Sequence, residues 1–340
     1  MAEALRARGR QVVVLISEKQ VDAAAAAHYP HLRFVTLPAV AKPATWSPRM
    51  LGFGWQTWRS LRRSYKLLDE FQVAAVLGMG GFTSLPPVYA GHRRGLPTFI
   101  HDSNARPGRA NVLTSRFCSQ VLLGQTAAQE YFPKCATLVT GTPARPELNT
   151  PPSREQAAAN FGLDPHHTTI LVTGGAQVVQ AAGPLAAASQ LPPTTQILHI
   201  AGAADYQRVC EITRNRPGYQ VLGFCDQMPA AYAVADLVIA RAGASSLTEI
   251  ALAGQPSILV PYPFAADDHQ TRNAEVFVAA GAATLAREHD LTAEQLAGLA
   301  SAILHDLPTY KRMAQAARAL AMPDAAARIC AAIETKLPSA

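Results

Sequence analysis

A chain of 340 residues that is 49% hydrophobic and 16% charged is long enough for two domains, each with its own core, and too apolar to be disordered. No apolar run reaches the length of roughly 18 residues that a membrane-spanning helix needs, and MAEALRARGR places charges where a secretory h-region would be apolar. A cytoplasmic location is therefore expected. The five cysteines (Cys118, Cys135, Cys210, Cys225, Cys330) are scattered and odd in number, which argues against a disulfide framework or a zinc site, so no metal is expected. The net charge of +6 favours an anionic partner without naming one.

In chain order, short β-branched apolar runs predict strands at Gln11–Ile16, Ala74–Gly78, Pro97–His101, Gln120–Leu123 and Thr137–Thr140. A second series follows at Thr169–Thr173, Gln196–Ala201, Gln220–Leu222, Asp236–Ala240, Ser257–Val260 and Ala283–Ala286. Helical patterns fill the gaps, among them Ser246–Ala253, Thr292–Leu304 and Pro308–Leu320. Such alternation predicts parallel sheets with right-handed crossovers, an α/β fold. Between the two series, GTPARPELNTPPS carries four prolines and one glycine without periodicity, which predicts an interdomain linker at Gly141–Pro152. Two Rossmann-like domains joined there would face a cleft lined by the carboxyl ends of their strands. The boundaries expected are residues 1–142, facing acceptor and membrane, and 143–322, binding the nucleotide sugar, with a terminal helix over about 323–340 returning to the first domain. The first domain opens on the back of a helix, Ala2–Arg8, so its first strand and glycine turn are expected to be missing.

Arg241–Gly254, RAGASSLTEIALAG, runs from a strand end into a helix start. Free N–H groups and the positive end of the helix dipole there suit a phosphate. Ser245 and Ser246 either cap the helix or donate to phosphate oxygens. Glu249, a turn further on, suits the two hydroxyls of a ribose; a capped helix with an ordinary surface glutamate is the competing explanation. In Pro261–Asn273, PYPFAADDHQTRN, the side chains of Asp267, Asp268, His269 and Gln270 gather at a strand end, as a sugar requires, or else merely cap the next helix. Taken together, the phosphate site, the ribose carboxylate and the polar loop describe a nucleotide-sugar pocket.

The string RAGASSLTEIALAGQPSILVPYPFAADDHQTRNAEVFVAAGAA resembles the UDP-sugar signature of MurG-type transferases. LGMGGFTSLPPVYAGHRRGLPTFIHDSNARPGRANVLTSRF is similar to the family's GMGGY and HEQN regions, and GTPAR (Gly141–Arg145) to its GNPVR. The resemblance spans nearly the whole chain, in order. It implies a GT-B fold and inverting transfer of GlcNAc from UDP-GlcNAc, a co-substrate with no further cofactor, to the MurNAc of undecaprenyl-linked lipid I. It further implies catalytic roles for Asp102, Asn104 and Arg145, the last neutralising the departing diphosphate. Gly243, Ala244, Ser245 and Ser246 would bind diphosphate, Glu249 ribose, the backbone around Cys225 and Met228 uracil, and His269 with Gln270 GlcNAc. Gly174, Gly175 and Gln177 would complete the donor pocket, and Gly80 and Gly81 the acceptor side. The chain departs from the family in HDSN, where Asp102 is one methylene shorter than Glu, and in GGAQVV, where Ala176 and Val178 replace Ser and Gly.

Trp46–Leu68 interleaves Trp55 and Trp58 with Arg59, Arg62, Arg63 and Lys66, which suits an anionic lipid surface on the inner face of the membrane. The competing explanation buries Trp58 and Leu61 and leaves a solvated basic face. No RNA- or DNA-reading motif is present, so no nucleic-acid partner is expected. The alternatives to an active transferase are a GT-B scaffold that binds UDP-sugar without turnover and another GT-B enzyme, a lipid glycosyltransferase or a UDP-GlcNAc epimerase.

Overall fold

The computed structural model describes residues 1–18, 29–38, 49–173, 191, 194–214 and 216–337. Two units are formed, Met1–Pro143 with Asp324–Ala340, and Ala144–Pro323. In the first, α1 (Ala2–Ala7) leads to β1 (Val13–Ser17), which pairs in parallel with β2 (Arg33–Leu37). The sequence reading did not include β2, although RFVTL has the alternating, β-branched character of a half-buried strand. α2 (Arg49–Glu70) follows. A separate parallel sheet then takes β3 (Val76–Gly78), β4 (Thr98–Asp102), β5 (Gln120–Leu123) and β6 (Thr137–Val139) in sequential order, with α3 (Leu85–Arg93) and α4 (Arg109–Thr114) between strands. Every residue of β4 is buried, as expected for a strand covered on both faces.

The second unit starts with α5 (Arg154–Phe161), a helix whose limits are written in its residues. Ser153 and Gln156 form a capping box, and Gly162 ends the helix with a left-handed φ of 65°. Its strands are β7 (Thr169–Thr173), β8 (Gln196–Ile200), β9 (Tyr219–Leu222), β10 (Leu237–Ala240), β11 (Ser257–Leu259) and β12 (Ala283–Leu285). Its further described helices are α6 (Tyr206–Ile212), α7 (Met228–Val234), α8 (Ala244–Ala253), α9 (His269–Ala279), α10 (Ala293–Leu304) and α11 (Leu307–Ala319). All six strands are parallel, in the order β12-β11-β10-β7-β8-β9. In the unit's own count this is 3-2-1-4-5-6 read backwards, the doubly wound nucleotide-binding order, whose switch point lies between β7 and β10. Within the predicted linker, Leu148 is buried in the core of this unit beside Ala157, Ala158 and Leu247.

After the second unit the chain returns through α12 (Ala325–Glu334). Ile329, Ala332 and Ile333 pack there on Phe99 and Leu122, with Met1 and Leu5 of α1 against the same cluster. At about 1.5–3 kcal/mol for each large apolar side chain buried, this terminal helix is part of the first unit's core. Among the described residues no helix is long and apolar enough to cross a membrane.

Candidate functional site

Two stations built at strand ends gather most of the residues singled out from the sequence. In the first unit β3 ends at Gly78, and the chain turns through Gly80 (φ 106°) and Gly81 (φ 76°) into α3. These φ values lie where L side chains are strained, so glycine is required. The side-chain carbonyl of Asn111 accepts from the Gly81 N–H at 3.1 Å. Beside it, Asp102 closes β4 at 2% exposure. Its carboxylate accepts from the Asn104 N–H (2.9 Å), the Asn104 side chain (3.3 Å), the Gly108 N–H (3.2 Å) and the Asn111 side chain (2.6 Å). The loop 103–108 is thus wound around this one carboxylate. Next to it, His101 Nε2 donates to the Gly141 carbonyl at 2.9 Å, and burial pushes the imidazole pKa down, keeping the ring neutral.

In the second unit the helix start after β10 differs from expectation. Gly243 is the N-cap (φ −67°, ψ 139°) and no side chain caps the helix. Ser245 and Ser246 lie within the first turn of α8, Ser245 exposed. With neither serine used as a cap, the first-turn N–H groups stay available to an anion at the positive end of the dipole. One turn on, the side chain of Glu249 is 16% exposed and lies 3.9 Å from Arg145 Nε. Tyr232 donates its hydroxyl to Glu249 Oε2 at 3.2 Å. Burial raises the Glu249 pKa, and Arg145 and Tyr232 partly offset it. Arg145 also donates from Nη1 to the Asp226 carbonyl at 3.1 Å, which joins the 225–228 loop ahead of α7 to the same cluster. In this structure Arg145 therefore faces the carboxylate and that loop. Cys225 is buried there and Met228 begins α7.

The polar loop after β11 is held beside this station. Asn273, fully buried, donates to the Ala242 carbonyl at 3.0 Å. Arg241 donates to the Val260 and Pro261 carbonyls, both at 3.2 Å, pairs with Glu288 and lies over the Tyr262 ring. Asp267 and Asp268 both take left-handed φ, 53° and 54°, which turns the chain sharply into α9. Gln270 accepts from the Tyr262 N–H at 3.0 Å, which fixes its side chain against the start of the loop. His269 Nδ1 is 2.8 Å from the Ala266 carbonyl. The expected residues Gly174, Gly175 and Gln177 lie outside the described residues, as do Ala176 and Val178.

Tyr232, Asn111, Asn273 and Arg241 were not picked out from sequence as site residues. Each acts through a long-range hydrogen bond, and no local spacing announces one. On α2, Trp55 is 59% and Trp58 44% exposed, with their rings stacked 4.9 Å apart and Arg62 over Trp58 at 5.0 Å. The helix buries Ser60, Ser64, Leu67 and Leu68 instead, and Arg59, Arg63 and Lys66 are exposed. Trp46 lies outside the described residues.

An uncapped helix start next to a half-buried carboxylate, at the switch point of a doubly wound sheet, defines a nucleotide-binding α/β protein. Comparison with known proteins agrees. Residues 1–123 match the glycosyltransferase family 28 N-terminal domain and residues 169–329 the family's C-terminal domain. The chain is 36% identical to a UDP-N-acetylglucosamine--N-acetylmuramyl-(pentapeptide) pyrophosphoryl-undecaprenol N-acetylglucosamine transferase of Desulfitobacterium hafniense, over 88% of this chain and 84% of that one. It is 36% identical to the enzyme of the same name from Nitratidesulfovibrio vulgaris, over 97% of this chain and 90% of that one. The crystal structure of Acinetobacter baumannii MurG superposes with a TM-score of 0.78 at 25% identity, covering 98% of this chain and 94% of that one. The chain belongs to glycosyltransferase family 28, among its MurG-type N-acetylglucosaminyltransferases.

Proposed function

We propose that the chain transfers GlcNAc, with inversion, from UDP-GlcNAc to the C4 hydroxyl of the MurNAc of undecaprenyl-pyrophosphoryl-MurNAc-pentapeptide, making lipid II from lipid I in peptidoglycan synthesis. The observation that carries the donor half is the convergence of Glu249, Arg145 and the 225–228 loop beside the uncapped start of α8. Ionised Glu249 accepts both ribose hydroxyls, and backbone groups around Cys225 and Met228 take the uracil. The N–H groups of Gly243–Ser246, with the two serine hydroxyls, bind the diphosphate. Gly174, Gly175 and Gln177 complete that pocket, and His269 and Gln270 read GlcNAc. As the glycosidic bond breaks, negative charge grows on the departing diphosphate. Oriented N–H groups and the Arg145 guanidinium meet that charge, which lowers the barrier because they interact more strongly with the transition state than with the substrate.

Acceptor binding falls to the first domain, residues 1–142 with the returning C-terminal segment, and donor binding to the second. Gly80, Gly81 and Asn104 line the acceptor side. Asp102 shapes it by holding the loop that carries Asn104. The exposed aromatic and basic face of α2 seats the protein on the inner, anionic face of the cell membrane, where the lipid-linked acceptor resides.

The test is transfer of labelled GlcNAc from UDP-GlcNAc to a lipid I analogue, with UDP release measured with and without acceptor. UDP release that requires acceptor, with label in the lipid product, is expected. Acceptor-independent release would favour an epimerase, and UDP binding without turnover would favour a scaffold. For the membrane face, replacing Trp55 and Trp58 with Ser is expected to lower co-sedimentation with phosphatidylglycerol vesicles. Unchanged sedimentation would remove α2 from the interface.

A further inference from the structure

Glu249 reaches its ligand-binding state against a desolvation cost, and what sets its geometry is a residue outside the pocket sequence. Tyr232 sits on α7, one helix away, at 2% exposure. Its hydroxyl donates to Glu249 Oε2 at 3.2 Å. Its backbone carbonyl accepts from the Gln255 side chain at 3.2 Å, just beyond the end of α8. Tyr232 is therefore tied to the helix that carries Glu249 at two points, by its hydroxyl at mid-helix and by its backbone carbonyl just past the C-terminal end. Burial holds the phenol pKa well above its ordinary value, and the neighbouring carboxylate adds to the shift, so the hydroxyl stays a donor at any working pH.

We infer that Tyr232 is a positioning residue for nucleotide recognition: its hydroxyl fixes one oxygen of Glu249 and orients the carboxylate toward the two ribose hydroxyls. The inference rests on the assignment of Glu249 to the ribose. A ribose diol needs a carboxylate in its acceptor-only form, since a protonated carboxyl would present a donor to a donor. Burial works against that form, and Arg145 at Oε1 and Tyr232 at Oε2 partly offset it. Arg145 acts on the charge at longer range, at 3.9 Å and with a side chain 48% exposed, and its hydrogen bond goes to the Asp226 carbonyl and not to Glu249. Tyr232 is buried and makes the direct hydrogen bond.

The other ionisable groups on elements packed around α8 act elsewhere. Cys225 faces the Tyr232 ring, and Asp226 meets Arg145 through its carbonyl. Glu147, in the turn ahead of α5, is exposed. Arg318 of α11 lies against Gly254 at the far end of α8. On α9, Arg272 pairs with Glu275 and His269 turns to the Ala266 carbonyl.

The experiment is a double-mutant cycle on the full chain with Tyr232→Phe, Glu249→Gln and the pair, read by KM for UDP-GlcNAc, kcat and calorimetric UDP affinity against pH. Tyr232→Phe keeps the ring and removes one donor to a charged acceptor, so KM and the UDP Kd are expected to rise about tenfold with kcat within about twofold. The acid limb of UDP affinity is expected to move to higher pH, because the carboxylate has lost one of the two groups that lower its pKa. In the Glu249→Gln background the same replacement is expected to add little, since the group it acts through has gone. An equal further loss in that background, or an unmoved acid limb, would mean that Tyr232 acts by packing alone and would overturn the inference. Should Glu249→Gln leave UDP affinity intact, the ribose assignment itself fails, an outcome separate from a failure of Tyr232. Thermal unfolding of each variant separates loss of fold from loss of binding.

Discussion

Asp102, at the carboxyl end of β4 in the first unit, and Glu249, in the helix that follows β10 in the second, are both carboxylates, and their surroundings are opposite. Asp102 receives three hydrogen bonds from the 103–108 loop and a fourth from Asn111 of α4, at 2% exposure. Glu249 receives one from Tyr232 and a long approach from Arg145, with its pKa raised by burial. A carboxylate whose lone pairs are filled by the chain holds the chain together. One that is half-dry and only partly satisfied gains most when a ligand supplies the missing donors. The same side-chain chemistry thus serves as a clamp in one unit and, in the function proposed, as a recognition group in the other.

Mutations at these two positions test the contrast most directly. Asp102→Ala leaves four donors, one buried and three part-buried, facing an apolar methyl, so a loss of about 3–5 kcal/mol of stability is expected, measured by chemical denaturation. A loss below about 1 kcal/mol would show that the loop does not depend on its carboxylate. Glu249→Ala is expected to weaken UDP binding about a hundredfold by calorimetry, since two hydrogen bonds to a charged acceptor disappear, with the fold retained. Gly124→Ala probes the ground next to Asp102. A Cβ there would lie 2.3 Å from Thr142 Oγ1 and 2.8 Å from Ser103 Cα, and overpacking of this kind costs about 1–3 kcal/mol. A variant as stable as the parent would show that the Ser103 loop yields easily.

The smallest effect sharpens the comparison most. Because the folded-state pKa of Glu249 is raised, the folded chain holds that proton more tightly than the unfolded chain. Its contribution to stability is therefore present below the unfolded-state pKa and is lost as pH rises through the raised one. At neutral pH the ionised group costs stability, so Glu249→Gln is expected to leave the unfolding midpoint unchanged or slightly higher while UDP binding falls. UDP affinity runs the other way with pH. It is expected to decline as pH drops through the raised pKa, above the ordinary carboxylate range, and a limb at the ordinary value would mean that Glu249 does not titrate in binding.

Much of the fold was legible in the residues. The apolar runs at Gln120–Leu123 and Thr169–Thr173 are strands at those limits, because a strand buried on both faces must be apolar throughout. Ser153, Gln156 and Gly162 mark a helix without help from elsewhere. The signature from Arg241 to Asn273 was equally clear, since strand, helix start and polar loop follow one another along the chain. β2 was passed over although its pattern was present.

Contacts between distant segments were not legible. No spacing says that Tyr232 meets Glu249, that Asn111 serves both Gly81 and Asp102, or that Arg145 reaches the Asp226 carbonyl. Gly243 rather than a serine is the N-cap of α8, because the helix starts at Ala244, two residues earlier than the expected Ser246. Sequence alone determined most of the strands and helices and which segments are proposed to carry phosphate- and sugar-binding chemistry, because propensity, capping and helix dipoles act over a few residues. Only the tertiary structure decided which carboxylate is a clamp and which is a receptor, because burial and hydrogen-bond satisfaction are set by groups that meet only after the chain has folded.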